Sequence, residues 1–184
     1  MTTRAAANRT PLVRDALETD VPALAEIYSH HVRHGLASFE LDPPDTAEMA
    51  RRRAYATELG LPYLVAEIGG RIAGYAYAAP YRTRPAYRFT VEDSVYIARD
   101  FLGSGVGSAL LPRLIAACEA AGCRQMLAVI GDSENLPSIR LHEKFGFARA
   151  GLLTAVGWKF GRWVDSVLMQ RPLGPGSGRP PDQD

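Results

Sequence analysis

A short glycine-rich loop between a strand pattern and a helix pattern constrains this chain most. Residues 95 to 111 read VYIARDFLGSGVGSALL, in which an apolar strand pattern leads to glycines at 103, 105 and 107 and then to an apolar helix pattern. Alternate glycines allow a tight turn that leaves backbone N–H groups bare at the start of the helix. These donors and the helix dipole attract anions. The segment therefore predicts a site for a phosphate-bearing ligand.

Two better-known phosphate loops do not fit this spacing. A P-loop needs a Lys followed by Ser or Thr after its last glycine, whereas Ser108 and Ala109 follow Gly107 here. A Rossmann loop reads G-x-G-x-x-G and opens a βαβ unit, whereas this loop reads G-x-G-x-G and lies in mid-chain. A tight β–α turn without any ligand also fits the spacing, so the surrounding sequence has to decide.

Composition narrows the class of protein. The chain has 184 residues, which suits one domain, and a net charge of +1, which is too small to favour nucleic acid or a membrane surface as a partner. Cys118 and Cys123 lie too close for a disulfide framework, no stretch is long enough for a membrane span, and the N-terminus lacks a signal peptide. We therefore expect a cytoplasmic protein.

The chain divides into three parts. Residues 1–10 are expected to form a flexible extension, 11–171 the folded domain, and the Pro/Gly-rich 172–184 a disordered tail. Within the domain, hydrophobic periodicity predicts the order β-α-α-β-β-β-α-β-α-β-β, which is typical of a mixed α/β sheet. The clearest element is a hairpin of Tyr63–Ile68 and Arg71–Tyr81 around two glycines.

Three helix signals are also present. Thr46 is predicted to cap the second helix, Gly122 to end the third, and Pro112 to kink that third helix from inside.

Taken in order, the segments resemble a known family from Val13 to Gln170. They read LVAEIGGRIAGYAYA, AYRFTVEDSVYI, the glycine loop, AVIGDSENLPSIRLHEKFGF and GWKFGRWVD. The chain is similar to the GCN5-related N-acetyltransferases, and within them to the phosphinothricin acetyltransferase branch. The resemblance implies a single α/β domain, with a mixed sheet of six to seven strands flanked by helices. It also implies transfer of acetyl from acetyl-CoA to the α-amine of a small amino acid, such as phosphinothricin, methionine sulfoximine or methionine sulfone.

The same resemblance assigns the acetyl-CoA contacts. Backbone groups of the strand would pair with the pantetheine arm, the loop amides would hold the pyrophosphate, and Asn135 would lie near the acetyl end. Leu102 stands where such enzymes carry Gln or Arg, so the backbone is expected to supply most of this binding. The predicted cofactor-binding residues are Val95, Tyr96, Ile97, Gly103, Ser104, Gly105, Val106, Gly107, Ser108 and Asn135.

Two residues are candidates for proton transfer. An amine is mostly protonated at neutral pH and needs a base before it can attack a thioester. Glu92 lies between apolar residues on the strand before the loop, where burial would raise its pKa; a strand-edge carboxylate in a salt bridge is the alternative. His142 titrates near neutral pH and could serve as an acid, or could make one structural hydrogen bond.

The acceptor would meet a guanidinium and aromatic rings. The resemblance places Arg84 and Tyr87 against the acceptor and adds Phe39 to this pocket. A guanidinium suits an amino-acid carboxylate because it can bind both oxygens, and Arg82 and Arg88 are the alternatives to Arg84. His30 and His34 share a helix face, but no third ligand is evident and we expect no metal.

The resemblance also implies a homodimer. An acetyltransferase acting on protein or peptide N-termini, and an acyl-CoA-binding module without turnover, are the alternative functions.

Overall fold

The computed structural model describes residues 10–181, and the predicted N-terminal extension lies almost wholly outside this part of the chain. The described chain has four α-helices: α1 (Val21–His34), α2 (Thr46–Glu58), α3 (Val106–Ala120) and α4 (Leu136–Lys144). Its seven strands are β1 (Leu12–Asp15), β2 (Tyr63–Ile68), β3 (Arg71–Pro80), β4 (Thr90–Ile97), β5 (Gln125–Gly131), β6 (Ala148–Lys159) and β7 (Arg162–Pro172).

The strands form one mixed sheet in the order β1-β2-β3-β4-β5-β7-β6. Only β4 and β5 run parallel, because α3 carries the chain back across the sheet between them. The predicted element order and the mixed α/β class are confirmed. The sheet matters for function because its single parallel pair lies next to the glycine loop.

Apolar side chains cover both faces of the sheet. On one face, α3 and α4 pack through residues such as Leu110, Leu114 and Ile139. On the other face, α1 and α2 cover a group of tyrosines in which the rings of Tyr63 and Tyr77 stack 4.8 Å apart. Side chains of β4 therefore alternate between two buried layers.

Turn glycines lie where the sequence predicts them. Gly69 and Gly70 have φ of 60° and 75° and close the β2–β3 hairpin, and Gly122 has φ of 83° and ends α3. The cap of α2 differs by one residue, since the side chain of Asp45 and not of Thr46 accepts from the backbone of Glu48. The carboxylate one residue earlier takes the capping bond.

Pro112 lies inside α3, which nevertheless runs unbroken from Val106 to Ala120. Proline removes one i→i−4 hydrogen bond, and that bond would have ended on the carbonyl of Ser108, in the first turn of the helix. The loss falls at the end of the helix that also carries the glycine loop, so most of α3 keeps its backbone bonding.

The chain after β7 is packed against the domain over part of the predicted tail. Leu173 is fully buried, its N–H donates to the carbonyl of Arg124, and the side chain of Arg124 donates to the carbonyl of Pro180. Two further turns are closed at Gly176 and Gly178. Composition alone indicated a disordered tail from residue 172; the last three residues lie outside the described chain.

Candidate active site

The sheet opens between β4 and β5. The two strands pair only from Thr90↔Gln125 to Asp93↔Ala128, although β4 continues to Ile97 and β5 to Gly131. Beyond Asp93 the facing edges separate and no longer pair with each other, so an extended molecule could meet them as a third strand would. The predicted pantetheine contacts Val95, Tyr96 and Ile97 lie on this opened stretch.

The glycine loop follows directly. Gly103 and Gly105 have φ of 74° and 78°, and no side chain caps the start of α3. A Cβ at either glycine would meet open space, so the backbone conformation and not crowding requires glycine there. The N–H groups of Val106, Gly107 and Ser108 are therefore available to an anion.

Two side chains near the start of α3 differ in what they could offer a bound phosphate. Leu102 is 62% exposed and contributes no polar group, as the sequence indicates. The ammonium of Lys144, at the end of α4, donates to the hydroxyl of Ser108 over 3.2 Å. The sequence analysis did not predict a role for Lys144. The available signal was its position just before Phe145-Gly146, where α4 ends. A cation thus stands beside the predicted phosphate site.

The start of α4 reaches the opening of the sheet. The side chain of Asn135 caps the helix by accepting from the N–H of Ser138 over 3.3 Å. Both residues line a narrow cavity of about 50 Å³ between β4, β5 and α4, together with Asp93, Tyr96 and others. The predicted cofactor residue Asn135 is therefore close to the opened strands, and its side-chain oxygen already accepts the capping hydrogen bond.

His142 is buried on the wall of the same cavity. Its Nδ1 lies 2.7 Å from the carbonyl oxygen of Ser138, and its Nε2 lies 3.0 Å from Oδ2 of Asp93. Burial by itself lowers the pKa of His142, but the hydrogen bond and the charge of Asp93 outweigh burial, so the net effect raises the pKa. Asp93 was not singled out from the sequence.

Glu92 points to the opposite face of β4. It lines a second cavity of about 390 Å³ with Phe39, Tyr28 and Tyr77, on the side covered by α1 and α2. Burial, and to a lesser degree the charge of Asp93, raise the pKa of Glu92. Among the described residues none forms an ion pair or a hydrogen bond with its carboxylate, so the predicted salt-bridge alternative is not what the structure has.

The two cavities meet at the opening of the sheet. They share the lining residues Ala37, Ser94, Tyr96, Val129 and Gly131. A molecule in the larger cavity would therefore contact a group lying between the separated strands. Glu92 and His142, although on opposite faces of the sheet, both border this junction.

The loop that carries Phe39 is held by close contacts. Buried Lys159 donates to the carbonyl of Ser38 over 2.7 Å. A Cβ added to Gly157 would lie 2.5 Å from the Phe39 ring. The ring therefore rests directly on the backbone of β6.

Gly131 makes a second close approach to this loop. A Cβ at Gly131 would lie 2.1 Å from the carbonyl oxygen of Leu36. Only glycine fits there, and the larger cavity has a wall set by this packing.

The polar lining of the larger cavity is acidic. Glu92 and Glu40 are its charged residues, and Glu40 is already bound by Arg52, whose Nη1 lies 2.6 Å from Oε1, and by the hydroxyl of Tyr28. Such a lining suits the amino group of an acceptor.

Arg84 and Tyr87 are not brought to this cavity. Both lie in the exposed connection between β3 and β4, where Arg84 lines a separate cavity with Tyr55 and Leu59, and the ring of Tyr87 contacts Tyr81 at 5.5 Å. The connection runs past the far end of β3, away from the opening between β4 and β5. Their assignment to the acceptor stays a prediction.

The histidines of α1 make ordinary contacts. Nε2 of His31 lies 2.9 Å from the carbonyl oxygen of Ile97, and burial lowers the pKa of His31. The rings of His30 and His34 lie 4.9 Å apart. Within residues 10–181 no three His, Cys, Asp or Glu side chains are arranged to hold a metal ion. No helix in that range is long and apolar enough to cross a membrane.

A parallel strand pair that opens toward an uncapped helix start can hold an extended, phosphate-bearing molecule between the strands. Residues 24–147 match the Acetyltransferase (GNAT) family, and the chain belongs to that family.

Its relatives share nearly the whole chain. It is 56% identical over 170 residues to a phosphinothricin N-acetyltransferase of Alcaligenes faecalis, covering 92% of this chain and 86% of that one. It is 39% identical over 161 residues to an L-methionine sulfoximine/L-methionine sulfone acetyltransferase of Salmonella typhimurium, covering 88% and 94%. The crystal structure of a phosphinothricin acetyltransferase from Sinorhizobium meliloti, in complex with AcCoA, superposes with a TM-score of 0.91 at 46% identity, covering 95% and 94%.

Proposed function

We propose that this protein transfers acetyl from acetyl-CoA to the α-amine of a small amino acid such as phosphinothricin, methionine sulfoximine or methionine sulfone. The observation that carries the proposal is the junction of the two cavities, where Glu92 borders the acceptor side and His142 borders the side of the opened strands. The acetyltransferases of this kind among its relatives support the choice of acceptor.

The proposed acetyl-CoA contacts lie along the opened strand and the glycine loop. Backbone groups of Val95–Ile97 would pair with the pantetheine arm, and the amides from Gly103 to Ser108 would hold the pyrophosphate. Lys144 adds a cation beside Ser108. Acetyl-CoA supplies a thioester carbon that is open to attack by an amine.

Glu92 would act as the base. Its pKa is raised by burial, so its carboxylate is a better proton acceptor than an ordinary one. It would take the proton from the acceptor amine, directly or through one water. The amine then attacks the thioester carbon directly. Cys118 and Cys123 are buried and line neither cavity, so neither thiol is placed to form an acyl-enzyme.

His142 would act as the acid. When the carbon–sulfur bond breaks, its electron pair passes to sulfur, and a proton from His142 completes the thiol. The carboxylate of Asp93 raises the pKa of His142, which favours the protonated ring that this role requires.

The alternative functions predict different results. A peptide N-terminus would need an open groove, whereas the Phe39 wall closes one side of the acceptor cavity. An acyl-CoA-binding module would bind CoA without turnover and would not depend on Glu92.

Release of free thiol from acetyl-CoA tests the proposal. The assay would use L-phosphinothricin, L-methionine sulfoximine, L-methionine sulfone and a short peptide with a free N-terminus. Glu92→Gln should lower kcat by about 10²- to 10⁴-fold and abolish the rise in rate with pH through the raised pKa of Glu92. Glu58→Gln, on the exposed end of α2, is the control and should behave as the parent. If CoA stabilises the protein against heat but no acceptor releases thiol, the enzymatic proposal is wrong.

We also propose a homodimer formed through β6. This edge strand is almost entirely exposed, and with the β6–β7 turn it displays large apolar side chains where a lone edge strand would be a liability. These side chains are Leu152, Leu153, Val156, Trp158, Phe160 and Trp163.

The double variant Trp158→Ser/Trp163→Ser should halve the mass seen by light scattering, and a parent that is already monomeric would refute the dimer.

The proposal places the enzyme in the cytoplasm, with acetyl-CoA and the small acceptor as its partners. A reducing compartment would keep Cys118 and Cys123 as free thiols.

A further inference from the structure

Asp93 and His142 form a buried pair that joins β4 to α4. Oδ2 of Asp93 and Nε2 of His142 lie 3.0 Å apart, and the two side chains are only 1% and 4% exposed. Both residues line the narrow cavity at the opening of the sheet. The pair therefore borders the place where the proposed reaction releases its sulfur.

The surroundings of the imidazole fix its protons. Nδ1 lies 2.7 Å from the carbonyl oxygen of Ser138, and a carbonyl can only accept, so Nδ1 carries a hydrogen. Nε2 faces a carboxylate oxygen. Two acceptors cannot bond each other, so a second proton must lie between Nε2 and Oδ2. With Asp93 present, the pair thus holds one proton more than a neutral histidine beside a carboxylate would.

Asp93 also presents an unused oxygen. Its Oδ1 is buried and accepts no hydrogen bond from any residue in the described range. Leaving a buried polar atom without a partner costs about 1 to 3 kcal/mol. If the side chain served only to pack α4, an amide or a hydroxyl would have a lower free-energy cost of burial than a carboxylate. Packing alone therefore does not account for an aspartate here, whereas an acceptor for the N–H of His142 does.

Few other charges act on the pair. Glu92 is next to Asp93 on β4 but faces the other side of the sheet, and from α3 the buried Cys118 lies within reach of the charge of Asp93. Glu143 and Lys144 flank His142 on α4 and are exposed.

The edge of the Phe147 ring covers the imidazole at 5.0 Å. Among the described residues no lysine or arginine forms an ion pair with Asp93, so His142 balances its charge.

We propose that Asp93 is a positioning residue for acetyl transfer, which holds the imidazole of His142 in its doubly protonated form so that the pair can deliver a proton to the leaving sulfur. The inference rests on the function proposed above. In the step itself the carbon–sulfur bond of the thioester breaks with its electron pair going to sulfur. The proton that lies between Nε2 of His142 and Oδ2 of Asp93 passes to sulfur to give the thiol, while the hydrogen on Nδ1 stays bonded to the carbonyl of Ser138. Water restores the shared proton before the next turnover.

The test separates this role from a structural one. Asp93→Asn keeps the shape, but its amide can donate to Nε2 and so favours the neutral ring. Nuclear magnetic resonance of ¹⁵N-labelled histidine would follow the titration of His142 in the parent and the variant. We expect the titration midpoint to fall by at least one pH unit, which corresponds to a tenfold change in proton affinity. Asp93→Glu should restore part of it.

The rate should follow the titration. With both substrates saturating, kcat of Asp93→Asn should fall about 10- to 100-fold. The loss of rate at alkaline pH should begin at a lower pH by the same interval, and KM for acetyl-CoA should change less than threefold. An unchanged His142 titration, or an alkaline limb that does not move with it, would overturn the proposal.

Two outcomes keep the inferences distinguishable. If no acceptor is acetylated by the parent protein, the proposed function fails, while the titration of His142 still decides whether Asp93 holds the ring charged. If Asp93→Asn lacks a cooperative thermal transition, the variant is not folded, and the titration of His142 in the parent protein decides whether the pair can donate a proton. A ring that is neutral at pH 7 in the parent refutes the pair's role as proton donor.

Discussion

The contact between Gly157 and the ring of Phe39 gives the sharpest test of where the acceptor binds. A methyl group added by Gly157→Ala would lie 2.5 Å from the ring, and carbon atoms pack at about 3.5 Å or more, so the ring must move by about 1 Å. Phe39 is 40% exposed, and its ring has room to move toward the cavity. The fold should tolerate the change, and the acceptor should be the molecule that is displaced.

The expected cost falls on the acceptor alone. A misplacement of about 1 Å can lower a rate by up to about 10²-fold, so we expect kcat/KM for the acceptor to fall about 10- to 100-fold, or about 1.4 to 2.7 kcal/mol. KM for acetyl-CoA should change less than twofold, because Gly157 and Phe39 do not line the narrow cavity. Thiol release at varied acceptor and fixed acetyl-CoA measures both.

Gly151→Ala is the matched control. It also replaces a glycine of β6, but its new methyl group would meet only the side chain of Leu168, at 3.8 Å, which is an ordinary contact. Both substitutions lower the conformational entropy of the unfolded chain by the same amount. Equal acceptor kinetics in the two variants would show that Phe39 does not form the acceptor wall, and the reasoning about the larger cavity would then be wrong.

Three further predictions concern the rest of the chain. Leu173→Ala should lower the free energy of unfolding by about 2 to 5 kcal/mol in denaturant titrations because Leu173 is fully buried, and a change below about 0.5 kcal/mol would show that the segment after β7 is not packed. Leu102→Ala should leave KM for acetyl-CoA unchanged, whereas Lys144→Ala should raise it about three- to tenfold, with less effect at high salt; equal effects would contradict backbone binding. The hydrogen bond from Arg14 holds the pKa of Asp20 below its usual value despite partial burial, so this pair stabilises the fold above the unfolded pKa and the stability is lost as pH falls. Asp20→Asn should therefore cost about 2 kcal/mol near neutral pH and progressively less in acid, and a constant difference in chemical denaturation across pH would refute the assignment.

Local signals predicted what is local in the structure. The turn at Gly69-Gly70, the end of α3 at Gly122 and the loop at Gly103 and Gly105 each depend on a backbone conformation that glycine alone adopts readily. The same is true of the cofactor side of the site, since strand, loop and helix start follow one another along the chain. The sequence therefore placed the predicted cofactor residues side by side, and their role in binding stays a prediction.

Contacts between distant residues left no such signal. Asp93 and His142 are 49 positions apart, and Lys159 and Ser38 are 121 apart, so no periodicity or spacing relates the partners. The guanidinium of Arg84 suits an acceptor carboxylate, but residue type does not determine the path of the exposed loop that carries it. Its role therefore stays a prediction.

Composition carried no signal for one further contact. Leu173 is a single apolar residue in a Pro/Gly-rich run, and one buried side chain is enough to fix the start of that run.

The alternation of side chains along β4 has a consequence for where the two proposed proton transfers take place. Glu92 and Asp93 are neighbours in sequence, yet each faces a different layer of the protein. In the proposed mechanism the strand is a partition between the proton acceptor and the proton source, so the two proton transfers need not compete for the same space. A slip of one residue in the pairing of β4 would exchange the two sides. The hydrogen-bond register with β3 therefore decides on which side of the partition each half of the reaction takes place.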